Sequence, residues 1–283
     1  MRVPRVTGSP VVSRFAPSPT GRLHLGHAYS AILNETRARA AGGRFVLRIE
    51  DIDAGRCKPE HEDAIYEDLA WLGLTWDGPV LRQSERMNVY AARLNDLRAR
   101  GLAYRCFRTR ADVAEAMGAA HAPPKGGFRP GPLGPAEEAA LLAEEQPFAW
   151  RLDLDRALGA AGEVTYMEEV AGAPVVRVAD PGAHGDVVIA RKDVGTSYHL
   201  ASVTDDIASG VTHVIRGADL SEAAPLHALL YALFGAPAPT YAHHALIEGP
   251  DGRRLAKRDR SVTLAALREA GATPADVRAR LPL

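Results

Sequence analysis

Hydrophobic positions along this chain change their spacing several times, and each change marks a different element. Val11, Val12 and Phe15 make a short apolar run that Pro17, Pro19 and Gly21 break, the pattern of a strand entering a tight turn. From His24 the apolar positions fall at Leu25, Ala28, Ile32 and Leu33, one face of a helix, until Gly42 and Gly43 stop it. FVLRIEDID at 45–53 reads as strand again. Residues 11–50 therefore predict a βαβ unit, and with it a parallel sheet and a right-handed crossover. Lys58, Pro59 and Glu60 open a second helix whose buried stripe is Ile65, Leu69 and Leu72, closed by Gly73. Ser84 is placed to cap a third, with Tyr90, Leu94 and Leu97 facing inward and Gly101 at its end.

After residue 103 the texture shifts. Residues 118–135 are rich in Gly, Pro and Ala without periodicity and predict a loop. Residues 148–154 and 175–178 predict strands of an inserted subdomain, after which the parallel core is expected to resume at 186–189 and 211–216. A helix over 221–234 stopped by Gly235, a last strand at 241–247 and a short C-terminal helix complete the pattern. The expected architecture is α/β, a Rossmann-type doubly wound parallel sheet. Its halves, residues 1–103 and 186–283, are separated by a connective subdomain at 104–185. Such a sheet binds its ligand at the switch point between the halves. The first turn carries no GxGxxG, which argues against a nicotinamide or flavin cofactor.

Composition narrows the class without naming a chemistry. The 283 residues are 46% hydrophobic and 24% charged, as in a soluble globular protein. A net charge of −1 means that affinity for nucleic acid must come from a local basic patch. Two distant cysteines, Cys57 and Cys106, argue against a disulfide framework and suit a reducing cytoplasm. The stretch MRVPRVTGSPVVSRF lacks the apolar core of a signal peptide, and no run is long enough to cross a bilayer. A cytoplasmic protein is expected, and a monomer.

Candidate chemistry begins where the first strand feeds the first helix. A helix N-terminus offers backbone N–H groups and the positive end of a dipole, an anion site. His24 and His27 stand at its mouth, three apart, where imidazoles can donate hydrogen bonds to a triphosphate. Gly26 between them lets a flat group approach the backbone. An HxGH tetrapeptide alone is weak, since two such histidines are as readily a metal pair or a solvated helix start.

The longer strings decide. Residues 14–27 read RFAPSPTGRLHLGH, which resembles the HIGH signature of class I aminoacyl-tRNA synthetases in its glutamyl form. Residues 253–261 read RRLAKRDRS, similar to an altered KMSKS loop of that family. RFAPSPTG, LRIEDID, GVTHVIRGADL and GPDGRRLAKR also follow in the family's order and approximate spacing. The resemblance implies ATP with Mg²⁺, bound by Pro17, His24, Gly26, His27, Arg254, Leu255 and Lys257, with His24, His27 and Lys257 as the catalytic groups. It implies an L-glutamate pocket of Arg14, Ala16, Ser18, Glu50, Tyr198 and Arg216. The physical chemistry agrees, because a zwitterion with a side-chain carboxylate needs guanidinium groups for its carboxylates and an anion for its amine.

Only residues 262–283 follow the KMSKS-like loop, where glutamyl-tRNA synthetases continue into helical anticodon-binding domains. The resemblance therefore implies the family's truncated branch, which esterifies glutamate to queuosine in the anticodon loop of tRNA(Asp). With the tRNA-registering domains gone, formation of glutamyl adenylate without RNA is expected. Arg105, Arg108, Arg110 and the 253–260 cluster are candidate phosphate contacts. Two departures stand out. Arg254 and Ala256 replace the loop's usual lysine and serine, and only Cys106, with Arg108 two residues on, remains of a zinc ligand set, so no zinc is expected. Two other readings stay open, another HxGH carboxylate-activating nucleotidyltransferase resembling pantothenate synthetase, and a non-catalytic paralogue that binds amino acid or RNA.

Overall fold

The computed structural model of the protein describes residues 10–109, 111–113, 127–247 and 262–283. The first βαβ unit forms as its pattern requires: β1 (Val12–Phe15), α1 (Leu25–Ala40) and β2 (Arg44–Ile49), the strands parallel with Arg14 opposite Val46. The corner between α1 and β2 depends on a glycine, since a Cβ at Gly43 would stand 1.9 Å from the Val11 carbonyl oxygen. Helix α2 (Pro59–Trp71), the short β3 (Leu81–Arg82) and α3 (Met87–Ala99) follow.

Ser84 does not cap α3. It sits in a 3-10 turn, Gln83–Arg86, and its N–H and hydroxyl both donate to the Asp51 carboxylate, at 2.8 and 2.6 Å. Its polar groups tie that turn to the loop after β2.

Next come β4 (Ala103–Cys106), α4 (Pro135–Ala143), β5 (Ala149–Leu152), α5 (Leu154–Ala161), β6 (Thr165–Val170), β7 (Ala173–Val178) and β8 (Val188–Ala190). The chain then forms α6 (Tyr198–Ser209), β9 (His213–Gly217), α7 (Ala223–Leu233), β10 (Thr240–His244), α8 (Leu264–Glu269) and α9 (Pro274–Ala279). The expected strand at 148–154 stops at Leu152, and Leu154 already opens α5, whose N-cap Asp153 accepts from the Arg156 N–H.

The strands make three sheets, ordered β1-β2-β3, β7-β6-β10-β9 and β4-β5-β8. The first two abut where the Thr212 N–H donates to the Val12 carbonyl at 2.9 Å, which places the switch point between β1 and β9. The third sheet is antiparallel, and β8 belongs to it. Residues 186–189 thus do not return the chain to the parallel core, as their apolar run suggested. Conversely, β6 lies inside the stretch expected as insertion yet pairs in parallel with β10.

Side-chain alternation divides the core in two. Phe15, Phe45, Leu47 and Ile49 pack with Ile32, Ile65, Leu69, Leu264 and Val277 on the α1 and α2 side. Val12 and Val214 pack with Leu97, Leu200, Val203, Leu229 and Tyr241 on the α6 and α7 side. Successive residues of a strand point to opposite faces. Arg14 therefore shares the α6 face with Val12, Arg48 and Glu50 lie on the face opposite Leu47 and Ile49, and Arg216 shares the face of Val214.

Candidate active site

That parity gathers charges from three strands at the carboxyl end of the parallel sheet. A cavity of about 550 Å³ opens there, lined by Arg14, Ala16, Pro17, Ser18, His24, Gly26, His27, Glu50, Tyr198 and Arg216. All the expected site residues among the described ones meet at this cavity. Arg254, Leu255 and Lys257 lie outside the described residues. The chain on either side of them borders the site, since Ile247 lines the cavity and Thr263 bridges to His24.

One wall of the cavity is the start of α1. The Gly26 N–H donates to His24 Nδ1 at 3.2 Å, and the His24 N–H donates to His27 Nδ1 at 3.2 Å. The two rings lie 3.9 Å apart, centroid to centroid. The backbone donors at these two positions are therefore taken by imidazoles rather than left open for an anion. Because Nδ1 accepts, each neutral ring carries its hydrogen on Nε2, so the donor property passes from the backbone to the ring edges. Gly26 has a role the sequence did not show: a Cβ there would press on His24 at 3.2 Å.

The opposite wall is an ion-paired chain. Arg14 Nε meets Asp206 Oδ1 at 3.3 Å, Arg48 pairs with the same oxygen, and a terminal nitrogen of Arg48 meets Glu50 Oε1 at 3.1 Å. Arg48 also donates to Ser202 Oγ at 3.1 Å. Burial is the largest influence on Asp206 and opposes its charge, but Arg48 and Arg14 outweigh it and hold the carboxyl below the ordinary range. Burial also dominates at Glu50 and pushes its carboxyl up, against the pull of Arg48 and Arg14. Arg48 keeps its charge despite burial, because Asp206, Glu50 and Asp205 together exceed that penalty.

Sequence reasoning missed Asp206 and its neighbour. Asp205 accepts from Tyr90 Oη at 2.7 Å, Gln83 Nε2 at 3.0 Å and Arg86 Nε at 2.7 Å, which ties α3 to α6. Two adjacent acids inside the apolar helix HLASVTDDIAS were the available signal. A buried acid needs a cationic or hydrogen-bonding partner.

Arg216 is held differently. Its Nε donates to His243 Nε2 at 3.3 Å, and one terminal nitrogen is 3.4 Å from both Tyr198 Oη and His227 Nδ1. Its other terminal nitrogen is buried with no hydrogen-bond partner among the described residues.

A second cavity of about 860 Å³ shares Ser18, Glu50 and Tyr198 with the first and adds Arg56, Arg108, Arg151, Arg191 and Lys192. Arg105, expected beside Arg108 as a phosphate contact, points elsewhere. It pairs with Glu138 at 2.5 Å and lies over the Trp150 ring at 4.8 Å. Arg110 lies outside the described residues. Cys106 is a buried free cysteine in β4, and among the described residues no cluster of three or more His, Cys, Asp or Glu could hold a metal.

This fold and site define a synthetase catalytic domain. Residues 10–281 match the family described as tRNA synthetases class I (E and Q), catalytic domain, and the chain belongs to that family. Within it, a glutamyl-Q tRNA(Asp) synthetase of Rhodobacter capsulatus is 47% identical over 285 residues, an alignment covering 95% of this chain and 98% of that one. A glutamate–tRNA ligase of Synechococcus is 41% identical over 267 residues, of which this chain spans 54% of the length. The crystal structure of glutamate-tRNA synthetase from Elizabethkingia anophelis superposes with a TM-score of 0.77 at 30% identity, over 94% of this chain and 60% of its own.

Proposed function

We propose that this chain is an ATP-dependent ligase that activates L-glutamate as glutamyl adenylate without RNA and then transfers it to queuosine in the anticodon loop of tRNA(Asp). The observation that carries this reading is the convergence of Arg14, Glu50 and Arg216 on one cavity whose far wall is the His24–His27 helix start. The likeness to a glutamyl-Q tRNA(Asp) synthetase over almost the whole of both chains supports the choice of acceptor.

In this reading Glu50 receives the ammonium group, and Arg14 and Arg216 receive carboxylate oxygens beside Ala16, Ser18 and Tyr198. Pro17, Gly26 and the two histidines face the nucleotide, and Arg254, Leu255 and Lys257, outside the described residues, are the further ATP-binding residues of this reading. One oxygen of the glutamate α-carboxylate attacks the α-phosphorus in line, the bond to the bridging oxygen breaks, and pyrophosphate leaves with the electron pair. Lys257 and the histidine Nε2–H groups neutralise the departing charge. A queuosine hydroxyl then attacks the acyl carbon, AMP leaves, and the hydroxyl proton is released. Catalysis is by positioning and charge placement. Mg²⁺ enters on the phosphates of ATP as part of that substrate. The second cavity, with its cations and its shared edge at Glu50, suits the incoming nucleotide. A monomer at work in the cytoplasm fits this role, and among the described residues no helix is long and apolar enough to cross a membrane.

Glutamate-dependent ATP–pyrophosphate exchange without RNA, followed by transfer of labelled glutamate to tRNA(Asp) with and without queuosine, tests both steps. Exchange without RNA and transfer only to the queuosine-bearing tRNA are expected. Strict dependence of the first step on tRNA(Glu) would remove the acceptor assignment and leave the amino-acid pocket standing. No exchange under any condition would favour a non-catalytic paralogue. Zinc is not expected, and metal analysis of the purified protein checks it.

A further inference from the structure

Arg216 is 4% exposed, and among the described residues no carboxylate pairs with it. A guanidinium can only donate, so the nitrogens it meets on His243 and His227 must present lone pairs. That requirement fixes both rings as neutral. His243 then carries its hydrogen on Nδ1 and donates to Glu168 Oε1 at 3.1 Å, and Glu168 is itself held by Arg177 at 2.9 Å. His227 carries its hydrogen on Nε2 and donates to His199 Nδ1 at 3.1 Å. Each imidazole is thus locked in one tautomer by a partner on its far side.

The fold places them by register. His243 lies directly beside Arg216 in the parallel pair β9–β10, and Glu168 lies beside Tyr241 in the pair β10–β6. His227 comes from α7, packed across the same face. Burial is the largest influence on both histidines and lowers their pKa, with Arg216 adding to it.

We propose that His227 and His243 are positioning residues for amino-acid specificity: two neutral acceptors that aim Arg216 without neutralising it, leaving its unpartnered terminal nitrogen for a substrate carboxylate. A carboxylate in either place would hold the guanidinium as firmly but would compete with the substrate for its charge. The proposal rests on the reading of this cavity as a glutamate pocket.

The test is calorimetric binding of glutamate and, separately, of ATP to the full chain, for wild type and for His227→Leu, His243→Leu, His227→Gln and His243→Gln. The leucine variants remove the acceptor. Their glutamate affinity should fall roughly tenfold or more, the scale of one hydrogen bond to a charged group, with ATP affinity little changed. The glutamine variants restore an acceptor oxygen and should recover most of the loss. Equal glutamate affinity in a folded leucine variant overturns the proposal. So does a glutamine variant that folds but binds glutamate tenfold more weakly than wild type, which holds even if the leucine variants do not fold. Wild type that fails to bind glutamate at all condemns the pocket reading instead.

Discussion

The two arginines that line the cavity are held in opposite ways. Arg14 belongs to a chain in which every charge meets its opposite, from Asp206 through Arg48 to Glu50. Among the described residues Arg216 meets imidazole, tyrosine hydroxyl and the Tyr241 ring, 5.2 Å from its guanidinium carbon. The first arrangement ties binding to stability, because the same carboxylate that orients Arg14 also compensates buried charge. The second largely separates them, because no carboxylate among the described residues pairs directly with Arg216 and its charge reaches buried Asp206 only at a distance, after Arg48 and Arg14.

Breaking the compensated side should have the largest effect. Asp206→Asn leaves Arg14 and Arg48, both nearly fully buried, without their shared direct partner, with Glu50 and the more distant Asp205 as the remaining counter-charges. Removing one partner of a buried ion pair typically costs about 3–5 kcal/mol, and urea unfolding should show a loss of that order. A loss below about 1 kcal/mol would mean that Asp206 is not the counter-charge of this core. On the other side, Arg216→Lys should fold nearly normally yet raise the KM for glutamate roughly 10–150-fold, with little change for ATP, as a guanidinium fixed by three acceptors becomes an unaimed point charge. Arg14→Lys should disturb both stability and KM. If Arg216→Lys moved the ATP term instead, the pocket would be misassigned.

Titration separates the two sides as well. Burial, then His184 and Arg216, lower His199 from 6.5 to about 4, and burial with Arg216 lowers His227 and His243. A depressed basic group binds fewer protons folded than unfolded, so its stability is fully present above pH 6.5 and is lost as pH falls toward 4. Asp206 is depressed below 3.8 and loses its contribution only in more acid solution. Asp68 runs the other way: burial raises it to about 6 against Arg268 and Arg22, so its term weakens stability as pH rises from 3.8 to about 6. Glu50, also raised by burial, acts in the same sense as Asp68, and His244, lowered by burial, in the same sense as the other histidines. Denaturation from pH 4 to 8 should therefore show stability rising with pH, four histidines outweighing two carboxyls. A flat profile would contradict neutral histidines around Arg216. The smallest effect belongs to the wall at the start of α1, where Gly26→Ala should push His24 off its cap and cost about 1 kcal/mol, seen as a modest drop in Tm.

Much of this was legible in the chain because it is local. The βαβ unit, the stops at Gly42, Gly73, Gly101 and Gly235, and the inward stripe of Tyr90, Leu94 and Leu97 follow from spacing alone. The residues that line the cavity were legible only through motif strings, since Arg14, Glu50 and Arg216 lie far apart in sequence and meet through strand pairing. Strand β8 was misread because a short apolar run does not say which sheet it joins. Ser84 was misread because a hydroxyl before a helix serves Asp51 as readily as a cap. Asp206, His227 and His243 escaped because their importance lies in what they hold, and a partner across a fold leaves no mark on spacing.

The alternation that fills the two cores also aims the charges, and this limits how the site can change over generations. Deleting one residue from β1, β2 or β9 would turn an arginine or glutamate into the α1 face and bring an apolar side chain into the cavity, so core and site would fail together. Insertions and deletions are therefore closed to these strands as a source of novelty. New specificity has to arrive by substitution at fixed positions, or in the loops beyond the strand ends, where length can vary without reversing any face.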